Sequence, residues 1–301
     1  MTTHTLEADL DASVSEVIAG WERPGDLREQ WRIAARLGWT AILDDLRADA
    51  PERDLIDAAC GAVTALGRGG IALPLRQTLV ARAGTPLSTV DAIAVHPAAQ
   101  GIWAPIADVH VAADGSAFAE AGRDLADRPY SLLPPTEIPL RLTALSEVLR
   151  LQEMLGAAQG AVAEARRYVT ERVQFGKPLI AIPAVRTTLG HLKVDVRQLE
   201  TVTHEVRSRL SGDDGALAFA LATAREVAAT AVPRIAQTAH QLHGAMGVTY
   251  EAALHWRTRL LWADCDEGAR WGDDGADAVP VEESVLWSLT APGSSGGGTR
   301  P

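Results

Sequence analysis

Between two long stretches of helical periodicity stands Glu171-Arg-Val-Gln-Phe-Gly-Lys-Pro-Leu179, and this corner restricts the folding of the chain more than any other segment. Upstream of it, Val148, Leu151, Leu155, Ala158, Val162, Ala165 and Val169 step by three or four residues. That spacing predicts a long amphipathic helix over Thr143–Val169, with Glu147, Glu153 and Glu164 on its polar face. Gly176 and Pro178 break the helix, and a second run restarts near Pro183 and continues to Leu210. The corner therefore holds a cation, an amide and an aromatic ring at a helix end. In the plain alternative it is a helical hairpin whose Arg172 and Lys177 are solvated and whose Phe175 is a core ring.

The helical pattern extends in both directions. Ser211-Gly-Asp-Asp-Gly215 stops the second helix, a third runs from Ala216 to about His243 with Pro233 inside it, and a fourth runs from near Thr249 to about Asp264. Four helices with short connections indicate a bundle. Nearer the N-terminus, Leu27, Trp31, Ala34, Ala35 and Gly38 form one stripe, and Leu55, Ile56, Ala59, Val63 and Leu66 another. Gly67-Arg-Gly-Gly70 ends the latter, and Pro74 opens a further short helix. Residues 89–138 change character. Thr89–Val95 and Ala107–Ala112 are apolar and rich in β-branched residues, and Asp114-Gly115 is a hairpin signal. Glu282–Leu289 is read as a last short helix, and the Gly/Ser-rich tail as disordered.

The expected fold class is mainly α: an N-terminal helical domain (1–88), a reduced β segment (89–138), a C-terminal four-helix bundle (139–290) and a tail (291–301). The formal charge of −11 comes with no basic stripe, which disfavours nucleic acid as a partner. Cys60 and Cys265 lie far apart with no metal-ligand spacing, as expected in a reducing compartment. No apolar run looks long enough to span a membrane, and the expected location is the cytoplasm.

A second motif gives the corner its meaning. Gln241-Leu-His-Gly-Ala-Met-Gly247 precedes Val248-Thr-Tyr-Glu251 and the fourth helix. The pair of motifs, with "RLGWTAI" and "ALGRGGIALPL" upstream, resembles the acyl-CoA dehydrogenase family, in which "ERxQFGxPL" and "QxxGGxGF…E" mark the C-terminal helical domain. The resemblance implies FAD as cofactor, with Arg172, Gln174 and Phe175 reaching the pyrophosphate and ring system of a flavin held mainly by a neighbouring subunit. A guanidinium fork suits a diphosphate because it makes paired charge-assisted hydrogen bonds. Gln241, Gly244, Ala245 and Gly247 match the loop that receives the adenosine-diphosphate half, where glycines let backbone N–H groups approach phosphates. Ala245 replaces a family glycine, and the plain alternative for the loop is an ordinary turn. His243 is read as touching the dinucleotide or as a helix-end cap.

The family's catalytic base is a glutamate, found either in a Glu-Gly pair after the fourth helix or on the first bundle helix. Glu267-Gly268 resembles the former, at a spacing from Gly247 that falls short of the family's. At the latter this chain has Ser146, with Glu147 beside it. For Glu147, Glu153 and Glu267 the alternative is a solvated helix face. The segment 89–138 is shorter than the family's β-domain and lacks its flavin-contacting stretches. Such short chains resemble the smaller subunits of heteromeric, α2β2 acyl-CoA dehydrogenases of steroid-degrading actinobacteria. That implies a second acyl-CoA dehydrogenase chain as partner, an acyl-CoA as substrate and electron-transferring flavoprotein as acceptor. A self-sufficient homo-oligomeric flavoenzyme and a non-catalytic structural subunit remain open alternatives.

Overall fold

The computed structural model describes residues 6–44, 46, 53–85, 87–99, 101–111, 118–133, 138–249 and 252–273, with side chains as far as Gly268. Within these, α1 (Leu6–Ile18), α2 (Leu27–Arg36), α3 (Arg53–Gly69) and α4 (Leu75–Gly84) precede the β segment. α1 starts within a polar, acidic stretch, and Val14 and Ile18 on one side of it are buried. Asp26 caps α2 by accepting from the Glu29 N–H.

The glycines after Leu66 act differently from the sequence expectation. Gly67 lies inside α3, which runs on to Gly69. A Cβ at Gly67 would sit 2.0 Å from the Glu153 carbonyl, and one at Gly156 2.0 Å from the Thr64 carbonyl. The two glycines let α3 and the following long helix touch backbone to backbone. The true stop is Gly70, at φ 69°. There the Ile71 N–H reaches the Leu66 carbonyl and the Gly70 N–H the Gly67 carbonyl, closing the helix end.

The β segment is smaller than the sequence suggests. β1 (Ala94–Val95) pairs in parallel with β2 (Val109–His110), and β3 (Gly122–Arg123) pairs antiparallel with β4 (Pro129–Tyr130). Asp114-Gly115, Glu282–Leu289 and the tail lie outside the described residues.

The bundle consists of α5 (Leu140–Glu171), α6 (Pro183–Arg209), α7 (Asp214–His243) and α8 (Leu254–Asp273), with a two-stranded hairpin between α5 and α6. α8 runs past Asp264, so Glu267-Gly268 sits inside the fourth helix rather than after it. From Thr143 to Ala158, α5 is buried on every side and forms the axis of the molecule. Residues 214–248, α7 with the turn after it, are long and apolar enough by length and composition to cross a membrane, against the sequence expectation. Most of the buried residues of α7 between Leu217 and Leu242 belong to the same core cluster as apolar residues of α5 and α6.

Candidate functional site

At the corner, Arg172 caps α5 by donating its backbone N–H to the Tyr168 carbonyl, and its own carbonyl accepts from Leu179 N–H, each at 2.9 Å. Between these bonds β5 (Val173–Gln174) and β6 (Lys177–Pro178) pair antiparallel, joined by Phe175 and Gly176. Both joining residues have positive φ, 54° and 74°, the geometry that matches the twist of a two-residue hairpin. The expected helix end is thus a helix end plus a hairpin. Asparagine is the usual first residue of such a turn, and a bulky side chain is uncommon at this φ. Phe175 is 87% exposed, so it is not a core ring, and Arg172 and Gln174 are exposed beside it.

The second motif lies at the same end of the bundle. Gln241 is exposed in the last turn of α7, and Gly244, at φ 59° and ψ −143°, takes the chain out of the helix. Ala245 keeps an ordinary negative φ in the short 3-10 turn over Gly244–Val248, so the missing glycine costs nothing in backbone strain there. Gly247 is required by packing, since a Cβ there would lie 2.7 Å from the His243 Cβ. His243 turns inward and is buried. Its Nδ1 lies 2.7 Å from the Ala239 carbonyl, and its ring stacks on Tyr168 at 4.8 Å. Nδ1 donates to that carbonyl, and Nε2 is buried with no hydrogen-bond partner. Tyr168 lies one turn before Arg172, so the stack ties the two motifs together.

The carboxylates of the expected base positions have a different environment. Glu147, Glu153 and Glu267 are at most 3% exposed, so none occupies a solvated face. Arg76 of α4 clasps Glu267 with two hydrogen bonds, at 2.9 and 2.8 Å, and reaches Glu153 at 3.2 Å. Arg128, beside β4, binds Asp124 at 2.6 Å and Asp264 at 2.7 Å, with Glu267 at 3.5 Å. Arg150 holds Glu147 at 3.2 and 2.7 Å and donates to the Asp264 carbonyl at 2.6 Å. Arg225 approaches Glu147 at 3.5 Å. Sequence positions more than a hundred residues apart thus converge in one interior network that joins α4, the β3–β4 turn, α5, α7 and α8.

Four arginines here face five carboxylates, and the excess charge shows in the titration. Burial, reinforced by Asp264, pushes Glu153 up to about 8 against the pull of Arg76 and Arg128. Burial raises Asp264 as well, and its Oδ2 has no hydrogen-bond partner. Burial acts on Glu267 in the same direction, yet Arg76 and Arg128 outweigh it and hold its carboxyl below the usual range. A general base needs a proton affinity near the working pH and a path to substrate. Glu267 has a depressed affinity and two arginines in the way.

The network's other members, Arg76, Asp124, Arg128, Arg150, Arg225 and Asp264, escape a motif search. The available signal is Glu147, Arg150 and Glu153 at three-residue spacing in a stretch whose other residues, Ser146 and Gln152 apart, are Leu, Val, Ala and Met. Charges on a helix that is apolar all round must be paired inside.

Comparison with known proteins agrees with this architecture. Residues 148–268 match the family described as acyl-CoA dehydrogenase, C-terminal domain. The acyl-CoA dehydrogenase IpdE2 of Mycobacterium tuberculosis is 26% identical over 286 residues, 85% of this chain and 86% of that one. IpdE2 of Mycolicibacterium smegmatis is 28% identical over 159 residues, 48% of this chain and about half, 49%, of that relative. Among solved structures, one from the ChsE4-ChsE5 complex of M. tuberculosis superposes with a TM-score of 0.70 at 18% identity, covering 90% of this chain and 97% of that one. At that identity the likeness concerns the fold.

Proposed function

We propose that this chain, which matches the acyl-CoA dehydrogenase C-terminal domain over residues 148–268 and is similar to an acyl-CoA dehydrogenase over most of its length, is an oxidoreductase of the acyl-CoA CH–CH bond and works as one subunit of a hetero-oligomeric flavoenzyme. In this reading it lends Arg172, Gln174, Phe175 and the Gln241–Gly247 loop to an FAD anchored mainly in a partner subunit. One observation carries it: the side chains of the cofactor motifs stand exposed at one end of the bundle, while both carboxylates at base positions are sealed in ion pairs. The exposed residues suit the cofactor's diphosphate half. Arg172 offers a guanidinium with no carboxylate partner among the described residues, and Gly244 leaves open space beside the backbone.

FAD, when bound, supplies the acceptor for the hydride that leaves the substrate's β-carbon. The part of this chain is to neutralise the diphosphate and to cover the cofactor with the Phe175 ring. Glu147 and Glu267 hold the fold, and the α-proton is taken by a base on the partner. Half-exposed Val194 on α6 and Phe219 on α7 fit a subunit surface. The product is a trans-2-enoyl-CoA, the acceptor electron-transferring flavoprotein and the location cytoplasmic, with steroid-derived acyl groups among the candidate substrates.

The test uses the complex with an acyl-CoA dehydrogenase chain that co-purifies with this one. FAD is titrated into apo-complexes of the wild type, Arg172→Ala and Arg172→Lys. Charge-assisted hydrogen bonds are strong enough that Arg172→Ala should weaken FAD about ten- to a hundred-fold, with Arg172→Lys in between. Equal affinities in all three would defeat the reading and favour a structural subunit that touches no nucleotide. Stoichiometric FAD and turnover in the lone chain would defeat it in favour of a homo-oligomeric enzyme.

A further inference from the structure

Lys177 and Lys193 are the only lysines among the chain's 28 cations. Both lie in the stretch 164–193, where six cations, Arg166, Arg167, Arg172, Lys177, Arg186 and Lys193, stand against two carboxylates, Glu164 and Glu171. The local excess is four positive charges, in a chain whose net charge is −11. Arg167 takes both of those carboxylates, at 2.5 and 2.8 Å, so neither is left for the cations of the hairpin.

The register of the hairpin decides which of these cations act together. Gln174 pairs with Lys177, and Val173 with Pro178. Cross-strand partners point to the same side of a ladder, as do residues two apart on one strand. Arg172 is extended, at φ −71° and ψ 118°, so Arg172, Gln174 and Lys177 share one side while Val173 and Pro178 take the other. All three polar residues are exposed. Arg172 and Lys177 are diagonal neighbours on that side, because the Leu179 N–H donates to the Arg172 carbonyl across the ladder. Such neighbours lie about 7–8 Å apart, a span that long side chains bridge. The two-residue turn at Phe175-Gly176 fixes this spacing, so it does not depend on a loose loop.

We propose that Lys177 is the second cation of the flavin site, meeting the two charges of the FAD diphosphate together with Arg172. This rests on the reading that sets the FAD of a hetero-oligomer at this corner. The two side chains contribute differently. The guanidinium fork fixes the orientation of one phosphate, and the ammonium, a point charge on a flexible stem, follows the other. The pattern ERxQFGxPL leaves the position of Lys177 open, so the second charge belongs to this sequence and not to the motif. The surplus of positive charge around the hairpin favours the approach of a dianion. Lys193 is exposed as well, but it stands about 15 Å along α6 from the start of that helix, which makes it the natural control.

With only two lysines, amine labelling reads the site directly. The apo-complex with a co-purifying acyl-CoA dehydrogenase chain is treated with sulfosuccinimidyl acetate, with and without FAD, and acetylation at each lysine is measured by mass spectrometry. FAD should protect Lys177 at least about threefold and leave Lys193 as it was. In FAD titrations of the same complexes, Lys177→Gln should weaken binding about three- to tenfold, Lys177→Arg should recover most of it and Lys193→Gln should match the wild type. The melting temperature of the lone chain should be the same in all of them. Arg172→Ala separates the two levels of the argument. If it weakens FAD while Lys177→Gln does not, or while Lys177 labels equally with and without FAD, the second cation is overturned and the flavin reading stands. If neither variant changes FAD affinity, the flavin reading fails and this inference with it. An equal loss from Lys193→Gln would show a diffuse field in place of a contact, and a lower melting temperature for Lys177→Gln would assign the residue to the fold; either result overturns the proposal.

Discussion

Arg76 and Arg172 belong to the same chemical class and live under opposite conditions. Arg76 is 1% exposed, with its three guanidinium nitrogens on the carboxylates of Glu153 and Glu267. Arg172 stands in solvent at the end of α5, its backbone bonded and its side chain unpaired among the described residues. A buried ion pair that is satisfied on all sides reports on the fold. An exposed cation on a rigid corner, beside an exposed ring at a strained φ, reports on something outside the chain. The family pattern assigns chemistry to both regions, and only the exposed one has access to a ligand.

Removing Arg76 should have the largest effect. Arg76→Ala leaves Glu267 and Glu153 buried without their cation, and breaking such a pair costs about 3–5 kcal/mol. Urea unfolding would measure it; a loss under about 1 kcal/mol would mean that water reaches the network and that the contrast with Arg172 is overstated. Arg172→Ala is the mirror case, weakening FAD in the complex while leaving the melting temperature of the lone chain where it was. A comparable loss of stability from Arg172→Ala would assign that residue to the fold as well.

The pH dependence sharpens the comparison from inside. Glu153 has a folded pKa raised from the ordinary carboxylate range to about 8, so the folded chain holds a proton there that the unfolded chain releases. The associated stability is complete below the ordinary range, declines as pH rises toward 8 and is gone above it. Glu267 has the opposite sign: its folded pKa is depressed, so its contribution is lost only as pH falls below the ordinary range. Melting temperature should therefore peak in mildly acidic solution and drop by a few degrees toward alkaline pH. Glu153→Gln should flatten the alkaline side. An unchanged alkaline slope in that variant would place the retained proton on Asp264 instead.

The smallest effect concerns the hairpin. Phe175→Asn puts the preferred residue at a positive-φ position and should stabilise the lone chain by less than about 1 kcal/mol. It should also weaken the assembled complex's hold on FAD. Gain without loss would show that the exposed ring serves nothing outside the chain.

The helices were legible because their signal is local. The stripe from Val148 to Val169, the glycines and prolines of the corner, and Ser211–Gly215 state where backbone hydrogen bonding starts and stops. Gly67 was misread as a stop because a glycine that ends a helix and one that lets two helices touch look alike in sequence. The close contact with Glu153 that distinguishes them lies on another element. The two motifs were legible as patterns of residue type, whereas the two-residue hairpin at Phe175-Gly176 was hidden because Phe is not the residue that usually announces it.

What the sequence determined by itself was the mainly α fold, the order of its helices and the corner at Glu171–Leu179, since periodicity and chain-breaking residues act within a few turns. What only the tertiary structure decided was the state of the charges. Whether Glu153 and Glu267 face water or arginines depends on Arg76 and Arg128, which reach them from α4 and the β3–β4 turn, and for Glu147 it depends on Arg150 in its own helix and Arg225 from α7. A carboxylate's proton affinity is set by burial and by the charges within a few ångströms, and those neighbours are assembled by folding.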